Sequence, residues 1–459
     1  MESIQDKIYK KSPHFIQNWI VSIYNFLAYK NRYSGKYDYF LKNYSVKRNA
    51  SLDQLKEIQR NKYKKLIEHA RDNSKYYKDI FDKIEFPEDL DNIKQLPIIN
   101  KETLRSNLSE IYTIESNKGT VSKTGGTTGK AIEVLYMNDD VQERFALLDT
   151  FRNNFGYSLG KKTAWFSGKS LLSNKDLKKN RFWKTDYLYK VRYYSTFHIH
   201  GKYLQYYVQD LLKYKPEYMV GFPFTMYEIA KYGIANNIDF PANTIKAIFP
   251  TAETITEDIR EVIEKYFKTN LYNQYASSEG APFIFECKNK KLHLELQSGV
   301  FEVLDDNNTY SKKGRLVVTS FTTHGTPLIR YDIADQIELD EEGTCSCGNN
   351  NPLVKEILGR TSDYIYSEET GKINFVNISN CLKGVKGIIK FQIQQDFVDK
   401  ILVLIEKDEK MYSTNYENVF LKNLRDRVGS NMNIELKYVS EIPVEKSGKF
   451  RLLKNNLNI

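Results

Sequence analysis

The chain has no run of apolar residues long enough to cross a bilayer, and no secretory-signal pattern follows Met1. Those two absences exclude helical membrane spans and predict a cytoplasmic protein. Cysteine is scarce, four in 459 residues, so disulfides are not expected to hold the fold together. There is no internal repeat and no low-complexity linker, which excludes repeat arrays and tethered modules. Charge is unbalanced, at a formal +10, but the lysines are scattered rather than gathered into a block. That distribution describes a solvated surface and predicts no nucleic-acid partner. It would also suit a basic active-site mouth that draws in anions.

What the chain does have is apolar material, 41% against 27% charged residues, enough for a core in a length that calls for two or three domains. The abundant Lys, Asn, Tyr and Ile reflect base composition and say nothing about function. Near the N-terminus Phe15, Trp19, Ile23 and Leu27, with Ile16 and Ile20 beside them, form an apolar stripe at helical spacing. Because amphipathic helices mostly face cores, the stripe is expected to dock on the body; the alternative is peripheral membrane contact through residues 13–29. Residues from Leu52 to Phe81 read as amphipathic helix, and the middle of the chain alternates strand-like and helix-like segments, as an α/β domain does. After Arg360 come strand signals at Lys390–Gln394 and Ile401–Ile405 and a helical pattern from Asn415 to Val428. These predict a large domain, 1–359, with a helical extension over 1–50, and a smaller α+β domain, 360–459.

The segment Lys123-Thr124-Gly125-Gly126-Thr127-Thr128-Gly129-Lys130 packs three glycines, three threonines and two lysines into eight positions. Glycines let backbone N–H groups turn toward an anion, hydroxyls donate hydrogen bonds, and lysine adds charge. It is not a Walker A loop. Thr124 stands where the first glycine belongs, and Ile132 to Tyr136 reads as a strand rather than the required helix. The segment is therefore read as a strand-loop-strand grip on a nucleoside triphosphate, against the alternative of a plain Gly/Thr surface loop.

Four further segments follow: Tyr275-Ala276-Ser277-Ser278-Glu279-Gly280, Arg330-Tyr331-Asp332-Ile333-Ala334-Asp335, Leu358-Gly359-Arg360-Thr361-Ser362-Asp363 and Ser447-Gly448-Lys449-Phe450-Arg451. In this order and spacing the five resemble the motif series of the adenylate-forming superfamily of acyl-CoA synthetases, nonribosomal adenylation domains and luciferase. Leu66 to Arg71 with Tyr76-Tyr77, Leu96 to Lys101 and Lys215 to Gly221 resemble one branch, the phenylacetate-CoA ligase-like family that includes CapK-type proteins of capsular-polysaccharide loci. The likeness runs from about Leu55 to the C-terminus.

The resemblance implies a large N-terminal α/β domain of stacked sheets and helices with a small mobile α+β lid. It also implies ATP-dependent, AMP-forming activation of a carboxylic acid, with CoA as the acceptor. The alternatives are transfer to an amine or carrier-protein thiol in surface polysaccharide biosynthesis, or a non-enzymatic scaffold of the same fold. By the same resemblance Thr124, Thr127, Thr128 and Lys130, with Gly125, Gly126 and Gly129, would hold the phosphates. Glu279 would ligate Mg²⁺, Tyr275 would stack on adenine beside Ser278, and Ala252-Glu253 would line the adenine pocket. Asp335 would take the ribose hydroxyls, Arg360 would bridge ribose and phosphate, and Lys449 would touch carboxylate and α-phosphate, with Lys446 and Lys454 as competitors. Ala276 and Ala334 replace glycines usual in the family, and Ser362 replaces the usual acidic hinge residue.

Cys345-Ser346-Cys347-Gly348 and Cys287 with His293, a C-x₅-H pair, together offer a Cys₃His set suited to a closed structural Zn²⁺ site. Similar cysteine patterns occur in the phenylacetate-CoA ligase-like branch, and buried or incidental thiols are the alternative reading. Cys381 is expected in the core. For the acyl pocket, Phe197, His198, His200, Phe222, Pro223, Phe224 and Ala281-Pro282-Phe283 are candidates by position. Which acid is activated and how many copies associate stay open.

Overall fold

A computed structural model describes residues 9–123, 132–199, 201–360, 363–375, 378, 380–382, 384–445 and 447–457. The class is mixed α/β, built on three main sheets. One has five strands in spatial order Trp183–Asp186, Val191–Ser195, Thr163–Ser167, Tyr218–Gly221 and Ala247–Pro250. All pairs are parallel except the edge pair of Trp183–Asp186 with Val191–Ser195. Tyr218 to Gly221 is buried on both faces, as a central parallel strand must be. Helices Gly201–Tyr214, Pro223–Ala235 and Glu257–Phe267 supply Leu204, Val208, Ile229 and Ile263 to the core of this layer.

The second sheet has seven antiparallel strands, in order Gly299–Leu304, Lys313–Ser320, Tyr331–Leu339, Leu353–Arg360, Leu292–Leu294, Ile284–Glu286 and Gln274–Tyr275. Helix Leu52–Asn73 covers it with Leu55, Tyr63, Leu66, Ile67 and Ala70, which with Gln59 recur every turn on one face. The helix opens on a capping box, Ser51 with Gln54, and breaks at Ser74, whose hydroxyl caps the following helix Lys75–Phe81. After Arg360 the chain makes its own four-stranded sheet, Asn433–Tyr438, Lys400–Lys407, Ile388–Phe397 and Leu453–Asn455, with helix Thr414–Val428 across it. Ile393, Val403, Ile405, Phe420 and Leu424 fill its separate core, and Cys381 is buried there too.

One expectation fails. In helix His14–Arg32 the stripe Phe15, Trp19, Ile23 and Leu27 faces outward, and the polar residues Gln17, Asn18, Ser22 and Asn25 are buried instead. The reason lies in the surface beneath the helix, which offers mainly hydrogen-bonding groups beside a small apolar patch, Val191 and Tyr193, that takes Val21. Asn25 donates to the Asp186 carboxylate at 2.8 Å and to the Tyr193 hydroxyl at 3.0 Å, and Asn18 donates to the Tyr187 hydroxyl at 2.9 Å. Among the described residues no helix is long and apolar enough to cross a membrane.

Candidate active site

The glycine-threonine loop, Thr124 to Lys130, lies outside the described residues, as do Ser362, His200 and Lys446. Its flanks are described. Strands Thr120–Lys123 and Glu133–Tyr136 pair antiparallel, so the loop joins the two arms of a hairpin. The Tyr136 hydroxyl donates to the Ser278 carbonyl at 3.0 Å, which ties the hairpin base to the segment carrying Glu279. That segment leaves strand Gln274–Tyr275 and turns at Gly280, where φ is +92° and a Cβ would crowd Thr323 and Tyr136. Arg144, on helix Asn138–Asn153, holds the turn from below by donating to the carbonyls of Ser277, Gly280 and Ala281 and to the Thr322 hydroxyl.

Two tyrosine–carboxylate pairs stand on this frame. The Tyr331 hydroxyl donates to Glu279 Oε2 at 2.7 Å, with Lys101 Nζ 3.6 Å from the other carboxylate oxygen. The Tyr275 hydroxyl donates to Asp335 Oδ2 at 2.6 Å, and Arg360 Nε lies 3.8 Å from Asp335 Oδ1. Burial raises the Asp335 carboxyl above its usual range, against the pull of Tyr275 and Arg360. Ser278 is exposed at the rim. Ala334, just before Asp335, has φ +62°, and Ala252, just before Glu253, has φ +69°. Both alanines therefore sit in a left-handed backbone that favours glycine, so the alanine at 334 costs more than a change of side-chain size would suggest.

The smaller unit completes the arrangement. Glu253 accepts the backbone N–H of Phe224 at 3.1 Å and that of Phe450, across the unit boundary, at 3.3 Å. Burial pushes its carboxyl up from the ordinary 4.5 to about 7, with Lys449 pulling the other way. Lys449 is lowered by burial and by Arg360, while Glu253, Asp335 and Asp363 oppose the shift. A lysine on the last loop thus lies within electrostatic reach of groups more than 85 residues upstream in sequence. Packing holds it there. The rings of Phe224 and Phe450 stack 4.2 Å apart, Lys390 Nζ donates to the Ile199 carbonyl at 3.0 Å, and Lys231 Nζ donates to the Ile389 carbonyl at 2.9 Å. Gly168 approaches the 447–448 backbone so closely that a Cβ there would overlap the Ser447 carbonyl.

Several pocket candidates turn out to be packing. Ala281 and Phe283 are buried, Phe283 between Phe285 and the Arg144 guanidinium, and Phe224 is covered by Phe450. His198 accepts or donates at Ser195 Oγ, 2.8 Å away. Phe197 lies against Gly448. Conversely, Lys101 and Tyr331 lie in motif segments that gave them no role, and Arg144 stands on a helix where no spacing rule marks it. Lys454 points elsewhere, 3.6 Å from Glu445.

Away from the cleft, Cys287, His293, Cys345 and Cys347 converge, their ligand atoms all within 4.8 Å of one another. Cys287 Sγ lies 3.5 Å from Cys345 Sγ, and Cys347 Sγ lies 3.5 Å from His293 Nε2. His293 Nδ1 is 3.2 Å from the Asn351 carbonyl, an acceptor that requires the proton on Nδ1 and leaves the Nε2 lone pair facing the sulfurs. Sulfur spacing of this kind fits tetrahedral Zn²⁺, for which Zn–S bonds of about 2.3 Å place sulfurs just under 4 Å apart.

Comparison with known proteins gives one close relative in sequence. The chain is 35% identical to Protein CapK of Staphylococcus aureus over 98% of its own length and 99% of the relative's. The chain belongs to the CapK family. The profile of the CapK C-terminal domain matches residues 365–456 of this family member, the unit that brings Lys449. In fold it is similar to 2-hydroxyisobutyryl-CoA ligase in the postadenylation state in complex with R3-HIB-AMP. The TM-score is 0.70 at 15% identity, covering 89% of this chain and 91% of that one. Against the same ligase with 2-HIB-AMP and CoA in the thioesterification state the TM-score is 0.58 at 16% identity, covering 89% and 92%. The CapK family member thus has the fold of adenylate-forming acid-CoA ligases.

Proposed function

We propose that the protein is an AMP-forming carboxylate ligase that uses ATP to make an acyl-adenylate and passes the acyl group to CoA. The observation that carries this reading is the loop of Lys449, which the smaller unit sets against Glu253 through the Phe450 N–H, with Asp335 and Arg360 near enough to act on the Lys449 charge. In the first step a carboxylate oxygen attacks the α-phosphorus of ATP, the bond to the β-phosphate oxygen breaks, and pyrophosphate leaves. Charge builds on the α-phosphate oxygens, and a buried ammonium is worth most there, because little water competes with it. Tyr275 and Asp335 would hold the adenosine, Thr124 to Lys130 the outer phosphates, and Arg360 the ribose and phosphate.

Glu279 would supply a hard oxygen to Mg²⁺ on the triphosphate; its carboxylate now faces the Lys101 ammonium and accepts the Tyr331 hydroxyl. In the second step a thiolate of CoA attacks the acyl carbonyl and AMP departs. The smaller unit, which follows strand Leu353–Arg360, would turn about residues 360–363 between the steps. The better superposition on the postadenylation state than on the thioesterification state supports reading this arrangement as the adenylating one. The Cys₃His cluster we read as a structural Zn²⁺ site, closed because four protein ligands leave no open position.

The test is pyrophosphate release from ATP across a panel of aromatic acids, amino acids and uronic acids, with and without CoA. One acid should stimulate release, and Lys449→Ala should lower that release by roughly two to three powers of ten. With the acyl-adenylate supplied, thioester formation by the same variant should survive. Equal loss of both steps would remove Lys449 from the chemistry, and release that no carboxylate stimulates would sink the ligase reading.

A further inference from the structure

Helix His14–Arg32 is amphipathic the wrong way round for a soluble body. Eight large apolar side chains, from Phe15 to Leu27, are exposed along it, Phe15 by 61%, Trp19 by 48% and Leu27 by 60%. Tyr187 and Leu188, in the turn after strand Trp183–Asp186, extend the same patch, the Tyr187 ring lying 5.5 Å from that of Trp19. Ten large apolar side chains exposed side by side, along a helix about 28 Å long and the turn beside it, form the kind of patch that marks an interaction surface. The helix cannot escape by rolling over. Its polar face is locked to the body through Asn18 and Asn25 and through Gln17, which meets the buried Lys184 ammonium that also binds Asp176 at 2.7 Å. Turning the apolar side inward would strand all of these groups.

We propose that this face lies on an anionic membrane surface. Charge favours that occupant. From Tyr9 to Tyr37 the sequence holds no aspartate or glutamate, whereas Lys10, Lys11 and Lys30 are exposed at the two ends of the helix. A cleft of about 640 Å³ opens beside Tyr187, where Lys162, Arg181, Lys190, Arg192 and Lys213 outnumber the acidic Asp186 and Asp210. Basic groups flanking an outward apolar ridge, with Trp19, Tyr24 and Tyr187 among the exposed rings, match the chemistry of the headgroup boundary. A second copy of the chain is disfavoured by the same charges, because pairing two such faces brings lysines of like sign together. The helix would lie flat on the lipid, presenting its ridge without crossing.

Flotation of the full chain with vesicles tests this, using phosphatidylcholine alone or with about one third phosphatidylglycerol. The protein should float with the anionic vesicles, release as salt rises, and bind the neutral ones weakly. Ile23→Ser/Leu27→Ser should reduce partitioning about tenfold or more, with an unchanged unfolding midpoint, because both side chains already face solvent. No binding by the unaltered protein, undiminished binding by the variant, or a dimer in sedimentation that the variant abolishes would each overturn the proposal. Pyrophosphate release in vesicle-free solution is independent of these outcomes, so the two readings fail separately.

Discussion

Glu253 shows how one carboxylate couples ionisation to the joining of two units. Its oxygens accept N–H groups from Phe224 in the large unit and Phe450 in the small one. Its folded value, near 7, lies above the ordinary 4.5, so the folded protein holds a proton that the unfolded chain releases in that window. The stability it lends is present below about pH 4.5 and is withdrawn as pH rises through 7. We therefore expect Glu253→Gln, which cannot ionise, to gain in unfolding midpoint relative to the unaltered protein as pH is raised from 5 to 8. Scanning calorimetry at several pH values measures that difference, and a difference independent of pH would show that Glu253 does not titrate there. Glu279 makes the opposite case. Its roles toward Tyr331 and Lys101 survive conversion to Gln better than a role toward Mg²⁺ would. Glu279→Gln is expected to weaken Mg-ATP use sharply with little change in stability; pyrophosphate exchange at the unaltered level would take it out of the site.

At the scale of elements, the Cys₃His cluster joins two connections that sequence keeps far apart. Cys287 and His293 bracket the turn between strands Ile284–Glu286 and Leu292–Leu294, and Cys345 and Cys347 lie between Tyr331–Leu339 and Leu353–Arg360. A metal here would clamp the middle of the seven-stranded sheet, whose Leu353–Arg360 strand leads directly to Arg360. One zinc per chain is expected by metal analysis. Cys345→Ser/Cys347→Ser should lose it and unfold at a lower temperature, since binding energy at a structural site is folding energy. Zinc absent from the unaltered protein, or retained by the double variant, would contradict the assignment. The N-terminal helix teaches the converse lesson. Its apolar periodicity was plain in the sequence, but which face is buried depends on the polar groups of a strand more than 150 residues away.

At the scale of the whole molecule, the cleft exists only while the two units are packed together. Gly168 is a direct probe, because the atoms nearest a methyl group there are the Ser447 carbonyl and the Gly448 nitrogen across the boundary. Gly168→Ala should hold the Lys449 loop off the cleft and cut acid-dependent pyrophosphate release by about ten- to a hundredfold, the scale of a misplacement near 1 Å. Its unfolding midpoint should stay close to that of the unaltered protein, and acyl transfer from a supplied adenylate should be spared. Full adenylation by the variant would mean that this packing is not the adenylating arrangement.

The sequence by itself determined the fold class, the two long strands and the helix read after Arg360, and the strand that follows the glycine-threonine loop. These follow from periodicity, turn chemistry and ordered motifs, all of which are local in the chain. Only the tertiary structure decided that Tyr275 bonds Asp335 and Tyr331 bonds Glu279, that Lys101 and Arg144 belong to the frame, and that Phe224 is covered by Phe450. It also turned the apolar stripe of the first helix outward. Those outcomes rest on pairings between residues tens to hundreds of positions apart, where the balance of desolvation and hydrogen bonding depends on what the opposite surface offers, and no spacing rule along the chain carries that information.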